Sequence, residues 1–252
     1  MNDGLKEAAS EMGKSERRLA AEALRREQAA EARRRKIVFG TAIASAVILI
    51  GGLLVFGIWL NRDTELEVRD PAATTTEDFA VRIGDGPTAV DLYVDFMCPA
   101  CNQFEAVYSS DIQGWIDDGA ITLDYHPITI LDRLSQGTEY STRAAAAAVC
   151  AADVGEQEFI DYSLALFENQ PDENTPGLTD GQLKDIGSDL GLGSAWAQCV
   201  DDETYHGWVQ EGTGAATGAQ GVEGTPTAKV NGEVVDNASF ADEVNAAIES
   251  AA

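Results

Sequence analysis

The order of apolar and polar positions divides the chain into four stretches. Residues 15–36 (SERRLAAEALRREQAAEARRRK) are rich in Ala, Glu and Arg and read as a solvated helix. Ile37 to Leu60 is 24 residues without a formal charge. As a helix rising ~1.5 Å per residue it spans roughly 36 Å, enough to cross a bilayer. Residues 61–78 carry few apolar side chains in no clear period, the pattern of a stalk. From Phe79 onward the pattern is that of a folded domain, without internal repeats.

Within that domain, Thr88 to Phe96 (TAVDLYVDF) is apolar and β-rich, which predicts a buried strand. It runs straight into Cys98-Pro99-Ala100-Cys101, where Pro99 suits the first position of a helix because its missing N–H has no partner to lose there. Phe104, Val107 and Tyr108 follow at helical spacing. Ala120 to Tyr125 reads as a second strand, and Thr138 to about Gly218 as a run of helices. Strand character returns at Thr227 to Val230 and Glu233 to Val235, joined by Asn231-Gly232, a two-residue hairpin signal. A closing helix starts at Ser239 with a Ser239/Asp242 capping box and an apolar stripe of Phe240, Val244, Ala247 and Ile248. The order is β-α-β, a helical block, then β-hairpin-α.

Charge sharpens this division. The chain of 252 residues has a net charge of −26. Residues 1–36 carry ten basic and seven acidic side chains, whereas residues 61–252 carry seven and 36. So acidic a domain is repelled by phosphate backbones, which argues against nucleic acid as a partner. Gly212, Gly214 and Gly218 do not match a dinucleotide fingerprint, and nucleotide binding is unsupported. Arg33 to Lys36 abut the apolar span, so the positive-inside rule places residues 1–36 in the cytoplasm and everything after Leu60 outside. A cleaved signal peptide is the competing reading. Its apolar region usually runs about 7 to 15 residues and ends at a small-x-small site, whereas Asn61-Arg62-Asp63 follows here, the pattern of a retained anchor.

The candidate chemistry begins with Cys98 and Cys101. At a helix N-terminus the first sulfur meets unsatisfied N–H groups and the positive end of the helix dipole, which favour thiolate, while Cys101 lies one turn on and deeper. The same spacing serves zinc, but that reading needs two further ligands, and Cys150, Cys199, His126 and His206 contain no second close pair. Cys150 and Cys199 sit on different predicted helices. Outside the membrane they read as a structural disulfide, the alternative being a second redox pair that relays electrons. Asn237-Ala238-Ser239 matches the glycosylation acceptor pattern, which is short enough to recur by chance.

Asp95-Phe96-Met97-Cys98-Pro99-Ala100-Cys101 followed by Phe104-Glu105 resembles the active-site segment of the DsbA-like thiol-disulfide oxidoreductases, a branch of the thioredoxin superfamily. Gly221-Val222-Glu223-Gly224-Thr225-Pro226-Thr227 is similar to that family's cis-proline segment. The resemblance covers roughly residues 80–250. It implies an α/β thioredoxin fold with a helical insertion at about 135–218, here preceded by a single transmembrane helix. It further implies Cys98 as nucleophile, Cys101 as resolving thiol, Pro226 as a cis residue beside the dithiol, and Thr225 as the backbone that pairs with substrate.

Two departures stand out. Ala100 replaces the histidine of the most oxidising members, and Leu92 occupies the position where thioredoxin-like proteins often bury a carboxylate. Asp95 lies at a different offset, where tuning of Cys101 and the role of a structural or exposed strand residue are both open; His126 reads as structural. The resulting domain map is a cytoplasmic tail (1–36), a membrane helix (37–60), a stalk (61–78) and an extracytoplasmic catalytic domain (79–252). Expected partners are exported proteins with free thiols, and a membrane oxidoreductase, DsbB-like or related to vitamin K epoxide reductase, for reoxidation. No metal or cofactor is implied. The alternatives are a reductase or isomerase, for example in cytochrome c maturation, and a non-catalytic binding module.

Overall fold

A computed structural model describes residues 69–75 and 78–251. The basic tail, the expected membrane span at 37–60 and most of the stalk lie outside the described residues. Among the described residues no helix is long and apolar enough to cross a membrane.

Among the described residues six strands form one sheet: β1 (Thr74–Thr75), β2 (Ala80–Ile83), β3 (Thr88–Val94), β4 (Ile121–Pro127), β5 (Thr227–Val230) and β6 (Glu233–Val235), in the order β1-β2-β4-β3-β5-β6. Only β3 and β4 are parallel; every other neighbouring pair is antiparallel. The parallel pair requires a crossover, supplied by α1 (Pro99–Asp117). The β5–β6 hairpin turns on Asn231 (φ 50°) and Gly232 (φ 84°), two residues that tolerate the left-handed backbone such a turn needs. β3 ends two residues before the predicted Phe96, because Asp95 turns its carboxylate onto the backbone N–H of Met97 and starts the bend into α1.

Sequence reading missed β1 and β2. Residues 71–75 fall in the stretch whose pattern reads as a stalk, yet Thr74 and Thr75 pair with Val81 and Ala80, and the Ala72 amide donates to Asp153 at 3.0 Å. Two-residue β1 is too short to show any period, and Ala80–Ile83 (AVRI) lacks a run of alternation.

Alternating side chains of β3 and β4 serve two faces. Val90, Leu92, Leu123 and Tyr125 point toward α1 and the closing helix α7 (Phe240–Ala251), where Phe104, Tyr108, Trp115 and Phe240 form an aromatic cluster. On the other face Tyr93 stacks on His126 at 4.0 Å and packs near Ile128, Ala216 and Val222. His126 is thus a buried ring held by Tyr93 and, at 3.3 Å, by Asp91, as its structural reading anticipates.

Between β4 and β5 lies the helical block: α2 (Tyr140–Ala152), α3 (Glu156–Glu168), α4 (Asp180–Asp189), α5 (Gly193–Asp201) and α6 (His206–Thr217). α2 runs through its middle with every residue but Arg143 buried. Seven of its 13 residues are alanine, which lets the surrounding helices approach its backbone closely. Trp196 of α5 donates its indole N–H to the Ala147 carbonyl at 3.0 Å. The closing helix begins as expected beside Ser239, but the Ser239 hydroxyl is directed back to the Asp236 carbonyl at 3.3 Å.

Candidate active site

The strand–helix junction carries both active thiols. Cys98 is the N-cap of α1 with an extended backbone, and Pro99 opens the helix. The Cys98 carbonyl accepts the first helical bonds, from Cys101 N (3.1 Å) and Asn102 N (3.2 Å). Cys98 is 7% exposed and Cys101 is fully buried one turn further in.

Burial and hydrogen bonding set the two thiols apart. The Cys98 thiol is pulled down to about 6, because the Cys101 thiol donates to it and outweighs the cost of burial, with Thr225 and the backbone N–H groups of Cys101 and Ala100 adding to the effect. Cys101 moves the other way, raised well above the ordinary thiol range by burial and by that same donation.

The opposite wall comes from the far end of the chain. Pairing of Tyr93 with Thr227 carries the preceding turn past the end of β3, and the Thr225–Pro226 peptide there is cis. Cys98 Sγ lies 3.4 Å from the Thr225 carbonyl oxygen. Two bonds hold this turn to α1: Asn237 donates to the Pro226 carbonyl at 2.9 Å, and the Tyr108 hydroxyl donates to the Asn237 carbonyl at 2.8 Å.

Asp95 is fully buried beneath the junction. Its carboxylate accepts from Met97 N, Leu131 N and the Ser141 hydroxyl at 2.7–2.9 Å, which ties β3, the segment after β4, and α2 together. Burial still pushes it up to about 7 against those three bonds. Of the two roles open for Asp95, these contacts describe the structural one, although its backbone also hydrogen-bonds near Cys101 and offsets part of that thiol's rise.

Three further polar groups surround the dithiol segment: Gln170 and Asn102, which the sequence reading does not single out, and Glu105, which it names only within the motif. Gln170, just past α3, donates its amide to the carbonyls of Phe96 (3.0 Å) and Cys98 (2.9 Å). Asn102 closes this strap by donating to Gln170 (3.2 Å) and to the Phe167 carbonyl (2.9 Å). Gln170 is 72 residues from Cys98 and carries no local signal. Glu105, by contrast, follows Cys101 by four residues on the apolar face of α1, so helical spacing alone marks it as a buried carboxyl. Tyr125 donates to it at 3.0 Å, and burial pushes it up to about 7.

Cys150 and Cys199 are bonded to each other (S–S 2.00 Å), joining α2 to α5. That bond consumes two of the ligands the zinc reading required. Among the described residues no group of three or more His, Cys, Asp or Glu side chains is placed to hold a metal ion.

A parallel β3–α1–β4 crossover flanked by antiparallel strands, with a CxxC at the start of α1 facing a cis-proline turn, defines a thioredoxin-like protein. The family model described as thioredoxin matches residues 80–250. The oxidised DsbA of Mycobacterium tuberculosis superimposes with a TM-score of 0.59 at 30% identity, covering 67% of this chain and 92% of that one. The chain belongs to the thioredoxin family and, within it, is a DsbA-like thiol-disulfide oxidoreductase.

Disulfide bond formation protein D of Bacillus subtilis is 26% identical over 171 residues, 66% of this chain and 72% of that protein. Serine/threonine-protein kinase PknE of M. tuberculosis is 31% identical over 128 residues, 49% of this chain. The chain spans 23% of the length of that kinase, so the match concerns one part of it.

Proposed function

We propose that the protein is a membrane-anchored, extracytoplasmic oxidase that introduces disulfides into exported proteins. The observation that carries this reading is the split between the two thiols: Cys98 drawn down to about 6 and Cys101 held up by burial. A stabilised Cys98 thiolate favours the reduced dithiol, and a couple whose reduced form is favoured is an oxidant toward other thiols.

In the reaction, a substrate thiolate attacks Cys98 Sγ of the Cys98–Cys101 disulfide, and Cys101 leaves with the electron pair and takes up a proton. A second substrate thiolate then attacks the substrate sulfur of the mixed disulfide. Substrate loses two electrons and two protons to become a disulfide, and the enzyme is left as the dithiol. Cys98 is the better leaving group because its thiolate is the more stable. Thr225, beside Cys98, supplies the backbone against which an extended substrate segment lies. Electrons then pass to a quinone-linked membrane oxidoreductase of the DsbB or vitamin K epoxide reductase type. The uncharged stretch Ile37–Leu60 and the basic run Arg33–Lys36 support the anchoring and the orientation.

The deciding experiment is equilibration of the Cys98–Cys101 couple with glutathione mixtures. With helix-terminal stabilisation of Cys98 and no histidine at Ala100, the expected potential lies between the about −270 mV of thioredoxin and the about −120 mV of the strongest oxidants of this type. A value at or below that of thioredoxin would replace this reading with a reductase fed by a membrane electron donor.

A further inference from the structure

Between α1 and α3 the fold leaves a cleft of about 460 Å³ whose lining includes neither Cys98 nor Cys101. Leu92, Leu123 and Tyr125 of the sheet lie at its floor, with Ile112 and Phe159 on its walls. Its size falls within the roughly 300–1,000 Å³ of small-molecule sites, and its lining is mostly apolar, as theirs is.

Two polar groups inside the cleft are not used up by the protein. Ser163 of α3 is 3% exposed, and its hydroxyl has no hydrogen-bond partner among the described residues. A helical hydroxyl normally falls back on the carbonyl four residues earlier, as Thr213 and Thr217 of α6 do at 2.8 Å, but Ser163 does not. Glu105 is 6% exposed and accepts from Tyr125 at one oxygen; the other has no partner among the described residues. Burying the Ser163 hydroxyl without a partner is unfavourable, and the second Glu105 oxygen is open to accept, so both are suited to a ligand that satisfies them.

Charge selects the kind of ligand. Asp117 and Asp161 also line the cleft, each hydrogen-bonded at 2.8 Å to a neutral glutamine, Gln113 and Gln157, which leaves their charge uncompensated. Among the described residues no Lys, Arg or His lines the cleft. An anionic amphiphile such as a fatty acid meets repulsion there, whereas a cation is drawn in.

We propose that this cleft binds a small apolar amine, its ammonium between Glu105 and Ser163 and its hydrocarbon body over Leu92, Leu123 and Phe159. An ammonium has three donors and no acceptor; the free Glu105 oxygen, the Ser163 hydroxyl and the Tyr125 hydroxyl oxygen are the acceptors available to it. Its charge draws Glu105 into the ionised form that burial alone disfavours. A lysine of another protein carries the same ammonium on a slender four-carbon stem, which fills less of the space between the two helices than a ring does.

The test is calorimetric titration of the full chain with 2-phenylethylamine, 2-phenylethanol, 3-phenylpropanoate and Nα-acetyl-lysine amide. The amine should bind saturably at one site, the alcohol about tenfold or more weakly, and the carboxylate not at all. Loss of a charge-assisted hydrogen bond in Glu105→Gln should weaken the amine about tenfold or more. Ser163→Ala should weaken it a few-fold, and Ser163→Leu, which fills the cleft, should abolish binding. If the leucine variant fails to fold, the near-isosteric Glu105→Gln and the smaller Ser163→Ala still decide the matter. Equal binding of amine, alcohol and acid, unchanged affinity in Glu105→Gln, or no saturable binding at millimolar amine would overturn the proposal. Tighter binding of the lysine derivative than of phenylethylamine would overturn it in favour of a protein side chain.

Discussion

At Cys98 the acidity comes from hydrogen bonds and not from a neighbouring cation. The residue between Pro99 and Cys101 is alanine, so no imidazole adds to the Cys101 thiol and the helix-terminal N–H groups. The thiolate absorbance of the reduced protein near 240 nm should therefore titrate with a midpoint of about 6. A midpoint near the ~8.5 of a free thiol would show that the N-terminus of α1 does not act on the sulfur.

Glu105 titrates with the opposite consequence. Burial holds its proton up to about 7, above the ~4.3 of an unfolded chain. Between those values the folded state binds the extra proton, so this group's share of stability is present at low pH and is lost as pH rises toward 7. Glu105→Gln removes that loss. The stability of the variant relative to wild type should thus rise by ~3 kcal/mol between about pH 4 and pH 8, read from urea unfolding at each pH. A pH-independent difference would mean that the cleft solvates the carboxylate freely. The thiol positions were legible from spacing alone. Leu92 leaves the strand position of the family's carboxylate empty, and Glu105 is a separate buried carboxyl on α1, bonded by Tyr125, the β4 partner of Leu92.

At the level of elements, α1 is held from two directions: by the Tyr108–Asn237–Pro226 links on the side of β5, and by the Gln170 strap from the helical block. The strap gives that block a hold on the thiol-bearing turn. Gln170→Ala removes two donors from buried carbonyls, at ~1 kcal/mol each. It should lower stability by about 2 kcal/mol and raise the Cys98 titration midpoint, because the turn is then freer to move the helix N–H groups off the sulfur. A drop in stability with an unmoved midpoint would mark the strap as scaffolding only. Local rules predicted α1 and the β5–β6 hairpin well, since Pro99 and Asn231-Gly232 act within their own turns. They could not predict the strap or β1, whose partners lie far along the chain or whose length is too short for a pattern.

Over the whole molecule, the division of charge is the strongest statement the sequence makes, with 36 acidic side chains after the apolar span and ten basic ones before it. Protease added to intact spheroplasts should remove the acidic domain and spare the N-terminal tail, as followed with antibodies to each end. Loss of the tail with survival of the domain would reverse the orientation. The sheet itself adds a property that concerns crowding. Among the described residues its outermost strands are the two residues of β1 and the three of β6, with β6 exposing a single large apolar side chain, Val234. A neighbouring copy approaching either margin finds too few free backbone groups to continue the ladder. Many copies can therefore share a small area without polymerising edge to edge.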